Sequence, residues 1–270
     1  MTVLEIWDFI SGTSEERPCD KDFAQALLAL IRRECGEEPL DILDLGGGAG
    51  NPSIALALAG HHVTLVDSDE EFLNAARSRS RRAKASLKIE HLDWRDYLVN
   101  HGRDEKPYDV ILFLGNALAY QDTWPDRTPL QRPSVTSLSD TLRLCAQTLS
   151  PKSIIVVESS FESEEPRSWA YVRFHPPLPA QVDNFCHFGD FSIWNISYDP
   201  ENATRMVDTT VVSPTSPSIA QVKGRIAFKG TLLGQLGLSL AADKAGLRSS
   251  FDLRPLRSLF SIALLRPTAQ

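Results

Sequence analysis

Acidic and glycine residues near the start of the chain have the spacing of a ligand site. Asp44, Gly46, Gly48 and Gly50 alternate with other residues at the end of a short apolar run, and Asp67 ends the next apolar run. A glycine loop between a strand and a helix lets the backbone approach a ligand closely. An acid at the end of the following strand can accept hydrogen bonds from both hydroxyls of a ribose. The spacing therefore predicts a site for a nucleoside cofactor.

The glycine pattern distinguishes between two kinds of cofactor. A dinucleotide fingerprint requires G-x-G-x-x-G/A. Counted from Gly46, the last position of this fingerprint falls on Asn51, and counted from Gly48 it falls on Ser53. Neither residue is Gly or Ala, so a nicotinamide dehydrogenase is a distant alternative. The pattern present resembles motif I of class I S-adenosylmethionine-dependent methyltransferases, in which the loop passes close to the amino-acid part of the cofactor.

Polar residues end two further predicted strands. Asp93 and Trp94 follow the third strand, and Leu114 and Asn116 end the fourth. A carboxylate can accept a hydrogen bond from the exocyclic amine of adenine, an indole can stack on its ring, and an asparagine offers both donors and acceptors. The alternatives are a helix-capping acid beside a core tryptophan, and a plain turn after the fourth strand.

The strand ends depend on a regular alternation of strands and helices. Strands are predicted at 40–45, 62–67, 87–92, 108–114 and 154–157, with helices at 51–60, 70–84 and 137–149. Two last strands are predicted at 248–253 and 259–265. This pattern predicts an α/β fold, Rossmann-like and doubly wound, with a mostly parallel seven-stranded sheet. The carboxyl ends of such strands border one ligand crevice.

The pattern changes between residues 166 and 230, where short β-rich pieces are separated by Pro, Asn and Gly. We predict an antiparallel, lid-like insertion after the fifth strand, forming part of the substrate side of a single methyltransferase domain that spans 1–270. Within it Arg173 and Tyr198 are the predicted substrate contacts, with Arg173 as the partner of a carboxylate. The alternative for each is an exposed strand residue.

Two segments carry a closer resemblance. Gly115-Asn116-Ala117-Leu118-Ala119-Tyr120 and the stretch from Ile6 to Gly12, with Arg17 beyond it, are similar to segments of the glycine/sarcosine N-methyltransferases. The resemblance implies that Trp7 and Arg17 contact the cofactor, Gly46 its amino-acid part, Asp67 its ribose, and Asp93 and Trp94 its adenine. Leu114 and Asn116 would lie near the methionine part and the methyl group. The predicted cofactor-binding residues are Trp7, Arg17, Gly46, Gly48, Gly50, Asp67, Ser68, Asp93, Trp94, Leu114 and Asn116.

The chain departs from that family after the fifth strand. Ser159-Ser160-Phe161 replaces an Arg-Asn-Tyr whose arginine clamps the substrate carboxylate, and a hydroxyl cannot replace a bidentate guanidinium. We therefore expect the same fold and cofactor but an acceptor other than glycine. Tyr120 and Asn116 are the predicted catalytic residues near the methyl group, and the alternative for Tyr120 is an aromatic packed under the insertion.

These patterns predict an S-adenosylmethionine-dependent methyltransferase acting on a small molecule, on an amine nitrogen in the favoured reading. The same architecture could act on the oxygen of a small phenol or carboxylate. An alternative of another class is a non-catalytic regulatory or scaffold protein that binds S-adenosylmethionine. Methyl transfer from a sulfonium needs no metal, and no metal-binding spacing is present in the sequence.

The net charge and the apolar pattern of the chain limit the kinds of partner and the cellular compartment that we expect. The 270-residue chain has a net charge of −7, which disfavours nucleic acid or an anionic membrane as the main partner. We expect no membrane span and no export signal, hence a cytoplasmic protein, and homo-oligomerisation is left open. The basic run at 77–82 is expected to be the solvated end of a helix.

Overall fold

Strands and helices alternate along the first part of the chain. The computed structural model describes residues 1–11, 13, 20–101, 106–120, 135–159, 169–174, 190–199, 204–216, 219–231, 233–257 and 260–268. The helices are α1 Val3–Ser11, α2 Lys21–Cys35, α3 Ser53–Leu58, α4 Glu70–Ala83, α5 Trp94–Asn100, α6 Val135–Gln147 and α7 Gln235–Lys244, and a 3₁₀ helix spans Ala117–Tyr120. The strands are β1 Asp41–Leu45, β2 His62–Asp67, β3 Lys88–His91, β4 Tyr108–Phe113, β5 Leu149–Ser159, β6 Trp169–Phe174, β7 Phe191–Asp199, β8 Thr204–Ser216, β9 Ile219–Thr231, β10 Leu247–Arg257 and β11 Phe260–Pro267.

Seven of these strands form one sheet, in the order β10-β11-β5-β4-β1-β2-β3. β1 pairs in parallel with β2 on one side and with β4 on the other, whereas β11 runs antiparallel to both β5 and β10. This confirms the predicted mostly parallel, doubly wound sheet. Because strand order reverses between β1 and β4, the crevice of this fold opens at their carboxyl ends.

Apolar side chains pack against both faces of the sheet. Neighbouring residues on one strand belong to opposite cores, since Ile42 packs with α2 and Leu43 packs with α5, α6 and α7. All four apolar positions of β4 from Val110 to Phe113 are fully buried. This double coverage explains the nearly continuous apolar runs in the sequence. None of the helices within the described ranges is long and apolar enough to cross a membrane.

A second, antiparallel sheet follows the fifth strand, in the order β6-β7-β8-β9. This confirms the predicted antiparallel insertion. Side chains alternate along β8, because Val207 is buried while its neighbour Met206 is 42% exposed. The buried face packs in one cluster with Ile6 of α1 and with Tyr120 of the 3₁₀ helix. The insertion therefore covers the segment that follows β4.

The basic run at 77–82 is not uniformly solvated. Arg81 and Arg82 are exposed, as expected, but Arg79 is 1% exposed and forms an ion pair with Asp8 of α1. The expectation was wrong for Arg79 because α1 covers this side of α4. Asp8 also accepts a hydrogen bond from the hydroxyl of Thr13, at 2.8 Å. The pair attaches the N-terminal helix to the helix that follows β2.

Replacing Asp8 by alanine should destabilise the protein by about 3 kcal/mol, because a buried guanidinium loses this carboxylate. The measurement is the free energy of unfolding in urea, with circular dichroism as the detected signal. Asp208→Ala is the matched control, since Asp208 pairs with Arg225, whose side chain is 67% exposed. The control should lose much less stability, and equal losses in the two variants would contradict this account of α1.

Candidate functional site

The glycine loop between β1 and α3 has a backbone that only glycine adopts easily. Gly46, Gly48 and Gly50 have φ angles of 74°, 53° and 92°. A Cβ on Gly46 would lie 3.2 Å from the ring of Trp94 and 3.1 Å from the Cβ of Ala117. The alternating glycines thus satisfy both backbone conformation and close packing. The loop lies next to the segments that follow β3 and β4.

Asp67 joins the end of β2 to this loop. Its Oδ2 accepts the backbone N–H of Gly48 at 2.8 Å, and its Oδ1 accepts the N–H of Asp69 at 2.9 Å. Burial raises the pKa of Asp67, and these backbone hydrogen bonds oppose the rise. A carboxylate has about four lone-pair positions, and the backbone N–H groups of Gly48, Ser68 and Asp69 use three of them, so capacity for a further donor remains. The predicted ribose acid and the predicted glycine loop are therefore in direct contact.

Asp44 lies beneath the loop and is fully buried. Its Oδ2 accepts a hydrogen bond from the hydroxyl of Ser53 at 2.6 Å. A Cβ on Gly47 would approach the same oxygen to 2.8 Å. Burial raises the pKa of Asp44 to about 7, the Ser53 hydrogen bond opposes the rise, and the charge of Asp67 adds to it. Asp44 thus connects the loop to the start of α3 from below.

Asp93 and Trp94 begin α5. Asp93 is the N-cap, and its Oδ1 accepts the backbone N–H of Arg95 at 2.9 Å. Trp94 is 9% exposed and packs edge-on against Phe113, with ring centroids 5.2 Å apart. This is the geometry of a helix cap beside a core tryptophan, and the edge of that tryptophan reaches Gly46. Their contact with adenine stays a prediction.

The turn after β4 is fixed to the end of β5. Gly115 and Asn116 have φ angles of 61° and 64°. Gly115 donates its N–H to the Glu158 carboxylate at 2.8 Å, and Asn116 donates its N–H to the Glu158 carbonyl at 3.2 Å. The hydroxyl of Ser159 donates to Asn116 Oδ1 at 2.7 Å. Glu158 is 0% exposed, and sequence analysis missed it, although a charge following the apolar run 154–157 was a usable signal.

Two predicted residues belong to an aromatic cluster above the sheet. Tyr120 packs against Phe228 of β9 with centroids 5.6 Å apart, which is the arrangement of an aromatic packed under the insertion. Trp7 meets the same Phe228 at 5.7 Å and Phe72 of α4 at 6.5 Å, both edge-on. Phe72 lies beside the loop, 3.3 Å from where a Cβ on Gly48 would be. Trp7 therefore links the glycine loop to the insertion.

The other predicted residues are placed as follows. Ser68 follows Asp67, and its backbone N–H hydrogen-bonds to that carboxylate. Leu114 is buried at the end of β4, and Tyr198 is half-buried on β7 within the cluster under the insertion. Position 173 of β6 pairs with Ser192, but the Arg173 side chain and all of Arg17 lie outside the described residues.

Comparisons with known proteins agree with this architecture. Residues 42–131 match a family model described as a methyltransferase domain. No curated protein sequence matches the chain. Among solved structures, DesVI of Streptomyces venezuelae is 14% identical over 99% of both chains, with a TM-score of 0.70. CalS10 of Micromonospora echinaspora, an amino pentose methyltransferase solved with S-adenosylmethionine bound, is 14% identical over 99% of this chain and 98% of its own, with a TM-score of 0.70. A Clostridium acetobutylicum S-adenosylmethionine-dependent methyltransferase is 12% identical over 98% of each chain, with a TM-score of 0.65.

The chain shares the fold of these solved methyltransferases, and part of it, residues 42–131, matches a methyltransferase domain. The matched segment begins in β1 and contains the glycine loop, Asp67, Asp93 and Asn116.

The buried Asp44 predicts a specific pH dependence of stability. Its pKa is about 7 in the folded protein and about 4 in the unfolded chain. Between these values the folded state holds a proton that the unfolded state has released, so stability falls as pH rises through this window. The Asp44→Asn variant keeps an oxygen that accepts the Ser53 hydrogen bond, and it removes the titrating group and its pH-dependent contribution to stability.

Urea unfolding of the ligand-free protein at pH 5 and pH 8 measures the effect. The stability of Asp44→Asn relative to wild type should rise by roughly 3 kcal/mol between the two pH values. Glu38→Gln, a change at an exposed residue, is the control and should follow wild type. An identical pH dependence of wild type and Asp44→Asn would refute this description of the buried acid.

Proposed function

We propose that this chain transfers the methyl group of S-adenosylmethionine to an amine nitrogen of a small molecule, and that residues 166–230 form part of the substrate side of a single domain. The observation that carries the proposal is the contact between Asp67 and Gly48, at 2.8 Å. It brings a carboxylate with capacity for a further donor to a glycine loop at the carboxyl ends of two parallel strands. The match of this segment to a methyltransferase domain supports the same reading.

The described residues fit an adenosyl cofactor. The half-buried Asp67, whose pKa is raised by burial, favours a ligand that brings hydrogen-bond donors, as ribose hydroxyls do. We propose that Asp67 binds the ribose, that Gly46 lines the amino-acid part, and that Asp93 and Trp94 border the adenine. A carboxylate at this strand end can accept a hydrogen bond from the adenine amine.

When bound, the cofactor supplies an activated methyl group, and displacement from its sulfonium is in line. The work of the chain is to exclude water, align the acceptor and keep the amine neutral. We propose that the cluster of Trp7, Tyr120 and Phe228 excludes water. Asn116 would be the polar group nearest the methyl, and its two hydrogen bonds, to the Glu158 carbonyl and from the Ser159 hydroxyl, hold it in one orientation.

Nitrogen is favoured by the reactions named for similar structures. CalS10 is an amino pentose methyltransferase, and KedS8 of Streptoalloteichus is a sugar N-methyltransferase with a TM-score of 0.63. A Burkholderia thailandensis enzyme with a TM-score of 0.52 is a 1,6-didemethyltoxoflavin N1-methyltransferase. The segment 115–120 resembles that of glycine/sarcosine N-methyltransferases, but Ser159 replaces their clamping arginine and is hydrogen-bonded to Asn116. We therefore propose an amine acceptor other than glycine.

Isothermal titration with S-adenosylhomocysteine tests the cofactor site. Asp67→Ala should weaken binding by about 1–3 kcal/mol, because the ribose hydroxyls lose their acceptor. Glu71→Gln, a change at an exposed acid of the neighbouring helix, should bind as wild type does. Undiminished affinity of Asp67→Ala would contradict the placement of the ribose.

A methyl-transfer screen with S-adenosylmethionine tests the reaction. We expect turnover on primary or secondary amines, and little on phenols or carboxylic acids of similar size. Turnover confined to phenols or carboxylates would replace this proposal with an O-methyltransferase. Tight cofactor binding without turnover on any acceptor would favour a regulatory or scaffold protein.

A further inference from the structure

One histidine contacts the loop that follows β2 and takes no part in the proposed mechanism. His91 ends β3 and pairs in register with Asp67, the last residue of β2. Its Nε2 lies 3.2 Å from the carbonyl oxygen of Ser68, and its Nδ1 lies 2.5 Å from Oε2 of Glu70. The ring of His91 therefore bridges the loop after β2 and the first turn of α4.

The Ser68 carbonyl belongs to the peptide group that orients the Asp67 carboxylate. The same planar group carries the N–H of Asp69, which donates to Asp67 Oδ1 at 2.9 Å. His91 thus holds one end of a rigid unit whose other end holds Asp67. Hydrogen bonds connected in a chain polarise and strengthen one another. The ring of His91 therefore helps to orient the carboxylate that we assign to the ribose.

Both partners of the ring are acceptors. A carbonyl oxygen offers only lone pairs, and so does an ionised carboxylate. A neutral imidazole has one N–H and one bare nitrogen, so it donates to only one of these two partners. Only the imidazolium form donates to the Ser68 carbonyl and to Glu70 at the same time. The two observed contacts therefore require a protonated His91.

The surroundings of the ring determine how strongly these contacts respond to pH. The side chains of His91 and Glu70 are 47% and 53% exposed, so protons exchange freely with solvent and each contact is of modest strength. The second oxygen of Glu70 pairs with Arg77 at 3.1 Å. The titratable and charged side chains on the elements packed against the ring are Asp67 of β2, the N-cap Asp69 of α4, Glu70 and Arg77 of α4, and Lys88 and Glu90 of β3 itself, the last two paired at 3.0 Å.

We propose that His91 is a positioning residue for the cofactor, and that its protonated form fixes the Ser68–Asp69 peptide group and thereby the Asp67 carboxylate. Histidine changes its charge between about pH 5 and pH 8. The neutral ring keeps only one of its two bonds, so the form that binds the cofactor better holds one more proton. Cofactor affinity then falls as the pH rises through the titration of the ring. This inference rests on the proposed function.

Isothermal titration with S-adenosylhomocysteine at pH 6 and pH 8 tests the proposal. The measured quantity is the ratio of Kd at pH 8 to Kd at pH 6, because comparing this ratio between variants removes the titrations that they share. We expect the ratio to be about threefold larger for wild type than for His91→Gln, whose amide does not titrate. His62→Gln is the matched control, since it removes an exposed histidine at the other end of β2, and it should keep the wild-type ratio.

The Glu70→Gln variant distinguishes this role from a merely structural one. The new amide can donate to a bare ring nitrogen, so both contacts of His91 persist at pH 8 without a second ring proton. We expect this variant to bind S-adenosylhomocysteine at pH 8 at least as tightly as wild type does. Its ratio of Kd values should fall to that of His91→Gln. A wild-type ratio in Glu70→Gln would overturn the proposal.

Cofactor binding also separates the ways in which the experiment can fail. If wild type and His91→Gln bind S-adenosylhomocysteine with equal ratios, or His62→Gln lowers the ratio as much as His91→Gln does, the proposal for His91 is overturned while the proposed function stands. If wild type does not bind S-adenosylhomocysteine at either pH, the proposed function fails. Should His91→Gln not fold, the ratio measured for Glu70→Gln decides.

Discussion

The hydrogen bond from the backbone of Gly48 to the carboxylate of Asp67 is the interaction on which the rest of the site depends. It joins the loop after β1 to the end of β2, at the crevice of a doubly wound sheet. The positive φ angles of the loop permit this approach, and Asp44 with Ser53 supports the loop from below. A substitution in the loop would therefore disturb the loop backbone, the position of Asp67 and the start of α3 together.

The upper wall of the site comes from segments distant in sequence. Trp7 contacts both Phe72 beside the loop and Phe228 of the insertion, while Tyr120 contacts Phe228 from the turn after β4. The ion pair of Asp8 with Arg79 holds α1 in this position. Trp7 of the N-terminal helix thus joins the apolar cluster beside the glycine loop to the cluster under the insertion.

Local patterns were sufficient to predict most of the fold. Apolar runs buried on both faces predict β1, β2, β4 and β5, and β2 was predicted with its observed bounds. Helix α5 was missed because it has only seven residues and carries little periodicity. The burial of Arg79 was missed because its partner Asp8 is 71 positions away in the chain. The contacts of Glu158 depend on the turn after β4 folding back onto β5, which residue spacing alone does not contain.

A crystal structure of the protein with S-adenosylhomocysteine tests the central claim most directly. We predict that both ribose hydroxyls lie within hydrogen-bond distance of Asp67, and that the thioether sulfur lies between the glycine loop and Asn116. An adenosine bound elsewhere, or ribose hydroxyls out of reach of Asp67, would contradict it.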